Sequence, residues 1–190
     1  ACETRGIMHA FGNGLEPRVW DCAIASGRSH GNNAIPVFNP DSVEAIEKLM
    51  DLYKGGILPP AMCVVVDSAG LPHLRKLHGK GGTKTIDELR TLKEYAKTPM
   101  IIKGIMTAEN ALKAVEAGAD AIVVSNHGGR VLAETPGTAE VLPEIVEAVK
   151  GKTKILIDGG IRSGLDVFKA LAMGADMCLI CRPVLISYYG

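Results

Sequence analysis

The sequence lacks a net charge. Its 190 residues carry 21 Lys and Arg against 21 Asp and Glu. That balance removes the basic footprint of a nucleic-acid or anionic-membrane partner, so neither is expected. No apolar run approaches the ~20 residues that span a bilayer, and no signal-peptide pattern is visible. Cysteine is scarce and odd in number: Cys2, Cys22, Cys63, Cys178 and Cys181. Cys178 and Cys181 form a C-x-x-C by spacing only. They fall in the apolar run Met177 to Cys181, and in an extended strand residues three apart face opposite sides. No second cysteine pair or nearby histidine completes a zinc site, so no metal is expected. The cysteines read as small apolar residues and point to a reducing cytoplasm.

What is present suits one globular domain over residues 1–190. The hydrophobic fraction of 47% is ordinary for such a domain. Seven short apolar runs recur: Gly6 to Ala10, Ala34 to Phe38, Ala61 to Val66, Met100 to Ile102, Ala121 to Val124, Lys154 to Ile157 and Met177 to Ile180. They do not alternate strictly, which suits parallel strands buried on both faces. Between them lie amphipathic stretches with helix punctuation. Asp41 or Ser42 opens Val43 to Lys54 before Gly55. Thr85 opens Ile86 to Lys97, and Thr107 opens Ala108 to Ala117 before Gly118. Pro143 begins Glu144 to Lys150 before Gly151. Ser163 precedes Leu165 to Met173 before Gly174. Strands alternating with helices mean a parallel sheet with crossover helices.

An open doubly wound sheet and a (β/α)8 TIM barrel both fit that pattern. Chemically useful residues follow several different runs: Asp67, Lys103, His127 with Arg130, Asp158 with Arg162, and Arg182. Groups gathered from many strand ends suit a barrel mouth. The expected fold is therefore α/β, a parallel barrel that is incomplete. Seven strands are present, and a first strand before Ala1 and a last helix after Gly190 are expected to be missing.

The segment Ser125-Asn126-His127-Gly128-Gly129-Arg130 is the most informative. It places a base suited to neutral pH three residues from a fixed cation, across two glycines. Histidine can abstract a proton, and arginine can grip a carboxylate through two bonds. Together they point to a site that holds an organic acid and deprotonates it. Asp67 could orient His127 and stabilise its imidazolium; it could equally cap a turn. Asp158-Gly159-Gly160-Ile161-Arg162 opens a helix, where free N–H groups suit a phosphate, and Arg162 and Arg182 can add charge-assisted bonds. Lys103, expected to end its strand, reads as a cation against a cofactor ring that turns anionic on reduction, or as a rim lysine. His9, His30, His73 and His78 carry no spacing signal.

These residues in this order resemble the FMN-dependent 2-hydroxy acid oxidase and dehydrogenase family, which includes glycolate and lactate oxidases. The resemblance is dense from Pro99 to Val184 and rests on Ile102-Lys103-Gly104, on Val124 to Arg130, on Asp158 to Arg162 and on Arg182-Pro183. It implies FMN as cofactor, His127 as catalytic base paired with Asp67, and Arg130 on the substrate carboxylate. It also implies Lys103 near the flavin N1 and O2. Ser125, Asp158, Gly159, Gly160, Arg162, Cys181 and Arg182 would serve the cofactor, the Asp158 segment and Arg182 on ribityl and phosphate. Cys181 stands where a glycine is usual.

Other departures mark a divergent branch. Val37-Phe38-Asn39-Pro40 lacks the glutamine and tyrosine usual there, Asn39 being a partial substitute. No hydroxyl residue is evident near Phe11-Gly12-Asn13, and Arg75 is a weak candidate for a second substrate arginine. The implied reaction is oxidation of an L-2-hydroxy acid, lactate- or glycolate-like, to the 2-oxo acid. Oxygen or another electron acceptor would be the partner, and homo-oligomerisation is left open. Two alternatives stand beside it: another FMN barrel activity, such as type 2 isopentenyl-diphosphate isomerase, and an inactive truncated copy.

Overall fold

The computed structural model describes residues 5–12, 21, 24–25, 33–54, 58–68, 71 and 82–190. Cys2, Cys22, Asn13, His30, His73, Arg75, His78 and the helix stop expected at Gly55 lie outside the described residues. Seven strands form one sheet: β1 (His9–Gly12), β2 (Ala34–Phe38), β3 (Met62–Val65), β4 (Met100–Ile105), β5 (Ala121–Val124), β6 (Lys154–Ile157) and β7 (Met177–Cys178). Among the described residues these helices are interleaved with them: α1 (Val43–Lys54), α2 (Ile86–Ala96), α3 (Ala108–Glu116), α4 (Thr138–Val149), α5 (Gly164–Ala172) and α6 (Arg182–Tyr189).

Every neighbouring pair is parallel, and the spatial order follows the chain from β1 to β7. A doubly wound sheet would reverse its order at a switch point; this sheet has none. The two apolar clusters agree. One joins strand residues such as Met62, Val64, Met100, Ile102, Ile122 and Ile157 to helix residues such as Ile46, Leu92, Ala111 and Leu142. The other holds Ala61, Cys63, Ile101, Ala121 and Val123, with Ile35, Val37, Leu156 and Leu179 against them, and includes no helix residue. Helices thus cover one face and the sheet encloses the other, which is the section of an incomplete TIM barrel. Burial of each fully enclosed isoleucine or leucine contributes about 1.5–3 kcal/mol, and Ile102 and Ile122 are at most 1% exposed.

The two-residue period of a strand then sorts the functional ends. Cys63 faces inward, so Val65 and Asp67 follow in the same phase. Ala121 and Val123 face inward, and Ser125 follows. Leu156 faces inward, and Asp158 follows. Both faces are apolar, which is why the sequence runs do not alternate.

Several boundaries differ from the sequence reading. β4 runs on to Ile105, so Lys103 lies inside its strand rather than at its end. β7 pairs over two residues only. α4 begins at Thr138, not at Pro143. The Gly137 N–H donates to the Glu140 carboxylate at 2.8 Å, which fixes the true start, and Pro143 sits in the second turn, at the cost of one helical N–H. A helix follows the last strand, since Arg182–Tyr189 forms α6, although none of its residues is buried.

Candidate active site

Parallel pairing brings the residues after β3, β5, β6 and β7 to one end of the sheet. There a contiguous polar group forms. The Lys103 ammonium donates to Ser125 Oγ at 2.8 Å and faces Asp158 Oδ2 at 3.3 Å. Ser125 is fully buried, and its Oγ also accepts the His127 N–H at 3.2 Å. His127 Nδ1 lies 3.0 Å from Asp67 Oδ1. The side chains of this pair are 18% and 11% exposed. One hydroxyl therefore links the lysine to the backbone of the histidine, and a carboxylate holds the ring.

The local backbone presents the ring. His127 has φ 57°, and Gly128 and Gly129 both have φ 72°. A non-glycine residue in the left-handed region is strained and persists where surroundings over-determine it. The surroundings here are the Ser125 bond below and a turn closed above. The Gly129 N–H donates to Asn126 O at 3.0 Å and to Asn126 Oδ1 at 3.1 Å, and Asn126 Nδ2 donates to Pro136 O at 3.2 Å.

Of the remaining candidate side chains, Arg130 reaches this group at the His127 backbone. Arg130 is exposed and donates through Nε to His127 O at 3.1 Å; among the described residues it has no carboxylate partner. Arg162 donates to Ile161 O at 3.0 Å. Cys181 and Arg182 are exposed at the start of α6. Cys181 precedes that helix, where the residue caps no N–H with its side chain. At the start of α5 the N–H groups are not all free, as the sequence reading had them. The Asp166 carboxylate accepts the N–H of Arg162 at 3.0 Å and of Ser163 at 2.9 Å. Those bonds, the Arg162 N–H first and the Ser163 hydroxyl next, hold the Asp166 carboxyl below its usual range. The Arg162 and Ser163 N–H groups are thereby taken from any anion at this loop.

Two buried oxygens, Asp67 Oδ2 and Asp158 Oδ1, accept no hydrogen bond among the described residues. A buried carboxylate oxygen without a donor is costly and calls for a water, an ion or a ligand group to satisfy it. Beneath them Cys63 stays a neutral thiol. Burial first pushes it up to about 12, Lys103 opposes that, and the carboxylates of Asp158 and Asp67 add to it. Among the described residues no cluster of three or more His, Cys, Asp or Glu could hold a metal ion.

Thr138 had no signal in the sequence beyond its place before a helix. Its hydroxyl donates to Asp158 O at 2.7 Å and ties the start of α4 to the glycine loop.

Known proteins resemble this chain. The sequence profile of the FMN-dependent dehydrogenases matches residues 63–190. A peroxisomal (S)-2-hydroxyacid oxidase of Arabidopsis thaliana is 55% identical over 102 residues, which cover 54% of this chain and 27% of that protein. A 2-hydroxyacid oxidase of Dictyostelium discoideum is 40% identical over 153 residues, 80% of this chain and 36% of that protein. A solved lactate oxidase of Pediococcus acidilactici superposes with a TM-score of 0.80 at 30% identity, covering 96% of this chain and 56% of that one. The chain spans between about a quarter and three-fifths of the length of these relatives. With the profile covering most of the chain, including Lys103, His127, Arg130 and Asp158, the protein belongs to the FMN-dependent dehydrogenase family.

Proposed function

We propose that this chain is a single barrel domain that binds FMN and oxidises an L-2-hydroxy acid, lactate- or glycolate-like, to the 2-oxo acid. The observation that carries the reading is the His127–Asp67 pair at 3.0 Å, with Arg130 three residues on. A carboxylate on Nδ1 selects the tautomer with the proton there, so Nε2 is the free base. His127 Nε2 takes the proton of the substrate hydroxyl, and Asp67 stabilises the imidazolium. Arg130, anchored through Nε to the His127 carbonyl, keeps its two terminal nitrogens for the substrate carboxylate.

The residues present fit the cofactor. Lys103 has three N–H donors; one goes to Ser125 while the ammonium faces Asp158 as an ion pair, which leaves donor capacity for the flavin N1 and O2 edge. The unpartnered Asp158 Oδ1 can accept a ribityl hydroxyl. Arg162 and Arg182, with the backbone of Gly159 and Gly160, would hold the phosphate. Bound FMN supplies the two-electron acceptor chemistry, with oxygen or another acceptor downstream. The relatives named 2-hydroxyacid oxidase and lactate oxidase support this reading over the isomerase alternative. The free thiols of Cys63, Cys178 and Cys181 support a reducing compartment, and we propose the cytoplasm, although the Arabidopsis relative is peroxisomal. No described helix is long and apolar enough to cross a membrane.

The test is His127→Gln in the flavin-loaded protein. Flavin binding is expected to survive, because the proposed cofactor contacts come from other residues. Flavin reduction by the hydroxy acid should slow by at least ~10²-fold, the lower range for a positioned base. Reduction at the parent rate would remove His127 from the chemistry. A purified parent without a flavin spectrum would favour the inactive copy.

A further inference from the structure

β4 carries one extra residue at its functional end. Met100 and Ile102 face outward to the helix layer, and Ile101 faces inward. Lys103 keeps the inward phase and reaches Ser125. Strict alternation would then turn Ile105 inward. Ile105 instead joins the outward core at 3% exposure. The pairing explains it: Lys103 lies opposite Val123 and Ile105 opposite Val124, two steps on β4 against one on β5. Gly104 is the unmatched residue, at φ 107°, and so forms a β-bulge.

The bulge has a neighbour across β3. The Val66 N–H donates to Lys103 O at 2.9 Å, and the β3 chain then passes over Gly104. A Cβ at position 104 would stand 2.6 Å from both Cβ and Cγ of Asp67, and 2.9 Å from its Oδ1. Oδ1 is the atom that holds His127 Nδ1. The carbon contacts would be about 1 Å short of the ~3.5–4.0 Å at which carbon atoms rest. A shift of about that size takes a 3.0 Å bond out of hydrogen-bond range.

We propose that Gly104 is a positioning residue for the base: its bulge lets Ile105 turn outward after the inward-facing Lys103, and its missing side chain seats the Asp67 carboxylate against His127. Gly104 acts through Asp67 and touches neither substrate nor cofactor. The inference rests on His127 being the base, as proposed above.

The test compares Gly104→Ala with the parent, both flavin-loaded, by two measurements. Histidine-selective ¹⁵N NMR, with the His127 signal assigned by its loss in His127→Gln, reads which ring nitrogen holds the proton. Stopped-flow reduction across hydroxy-acid concentrations reads rate and binding separately. Gly104→Ala is expected to lose the Nδ1–H preference of the parent. It should slow reduction at saturating substrate by at least about 10-fold, with apparent affinity within about 3-fold, as for a base that has lost its orienting carboxylate. A glycine serving the strand alone would lower Tm and leave the tautomer unchanged. The double variant Gly104→Ala with Asp67→Gly removes the clashing atoms. It should recover the part of the lost Tm that the clash causes, the strain of alanine at φ 107° remaining, and reduce at the rate of Asp67→Gly alone. Should Gly104→Ala not fold, the double variant is still expected to fold. The proposal is overturned if Gly104→Ala keeps the parent tautomer and rate, or if Gly104→Ala lowers Tm as much in the Asp67→Gly background as in the parent. Absence of reduction in the parent would instead sink the oxidase reading, and the NMR comparison would still decide the role of Gly104.

Discussion

Ser125 joins the two halves of the polar group, since one hydroxyl oxygen accepts from both the Lys103 ammonium and the His127 N–H. The residue types needed for the proposed chemistry were legible in the sequence because each follows an apolar run. Their partners were less so. Asp67 and His127 are 60 positions apart, and no local pattern states that Oδ1 meets Nδ1. Arg130 stayed an expectation of charge type alone, and its Nε anchor on the His127 carbonyl suggests a sharper test. Arg130→Lys keeps the charge but loses the planar fork. It should weaken hydroxy-acid binding by at least about 10-fold, the size of one lost charge-assisted bond of ~1.5–3 kcal/mol. It should slow the reduction step itself much less. Stopped-flow reduction over substrate concentration separates the two, and a pure rate defect with unchanged affinity would contradict the carboxylate role.

At the scale of the elements, the opposite end of the barrel repeats one device. Gly118-Ala119-Asp120 follows α3, and Gly174-Ala175-Asp176 follows α5. In each the alanine N–H returns to the helix, Ala119 to Ala114 O at 3.0 Å and Ala175 to Ala170 O at 3.1 Å. Each aspartate then caps the start of the preceding strand. Asp120 accepts the Met100 N–H at 2.6 Å and pairs with Lys93. Asp176 accepts the Ile155 N–H at 2.9 Å and pairs with Lys154 at 2.8 Å. The Lys154 bond first, and the Ile155 N–H next, hold Asp176 below the usual carboxylate range. Burial raises the Asp120 carboxyl, but the Lys93 and Met100 bonds outweigh it and the net shift is also down. A lowered folded value means that the stability is present above the unfolded pKa of about 3.9 and is lost as pH falls through the folded value. Tm should therefore hold to about pH 5 and decline on further acidification. Asp176→Asn should lower Tm at neutral pH and flatten part of that decline. The effect is modest because Lys154 is 72% exposed and water screens the pair. An acid limb identical in parent and variant would show that the cap does not titrate with folding.

For the whole molecule, the sheet leaves two sides open among the described residues: β1 pairs only with β2, and β7 only with β6. The β7 side is also apolar. Phe168 is 69% exposed on α5, and Ile186 and Tyr189 are 66% and 80% exposed on α6. Open edges and contiguous apolar faces favour association. Light scattering should therefore report concentration-dependent association of this chain. Phe168→Lys with Ile186→Lys should reduce it while leaving the barrel interior intact. Unchanged scattering in that double variant would place the contact elsewhere.

The sequence by itself determined which segments become strands and helices, and which chemical groups stand at the strand ends, because apolar periodicity and helix caps are short-range properties. The runs from Ala34 to Phe38, Ala121 to Val124 and Lys154 to Ile157 became β2, β5 and β6 without change. Only the tertiary structure decided the phase reversal at Gly104 and the clamp of Thr138 on the Asp158 carbonyl, and the structure alone showed the Arg162 and Ser163 N–H groups, just ahead of α5, taken by Asp166. The bulge and the Thr138 clamp each depend on a neighbour from another strand or helix. Asp166 lies close in sequence, but its side chain competes with a ligand for the same donors, and a glycine-rich pattern cannot say which wins. Alternation within one strand is likewise blind to an extra residue until the partner strand supplies the register against which it counts as extra.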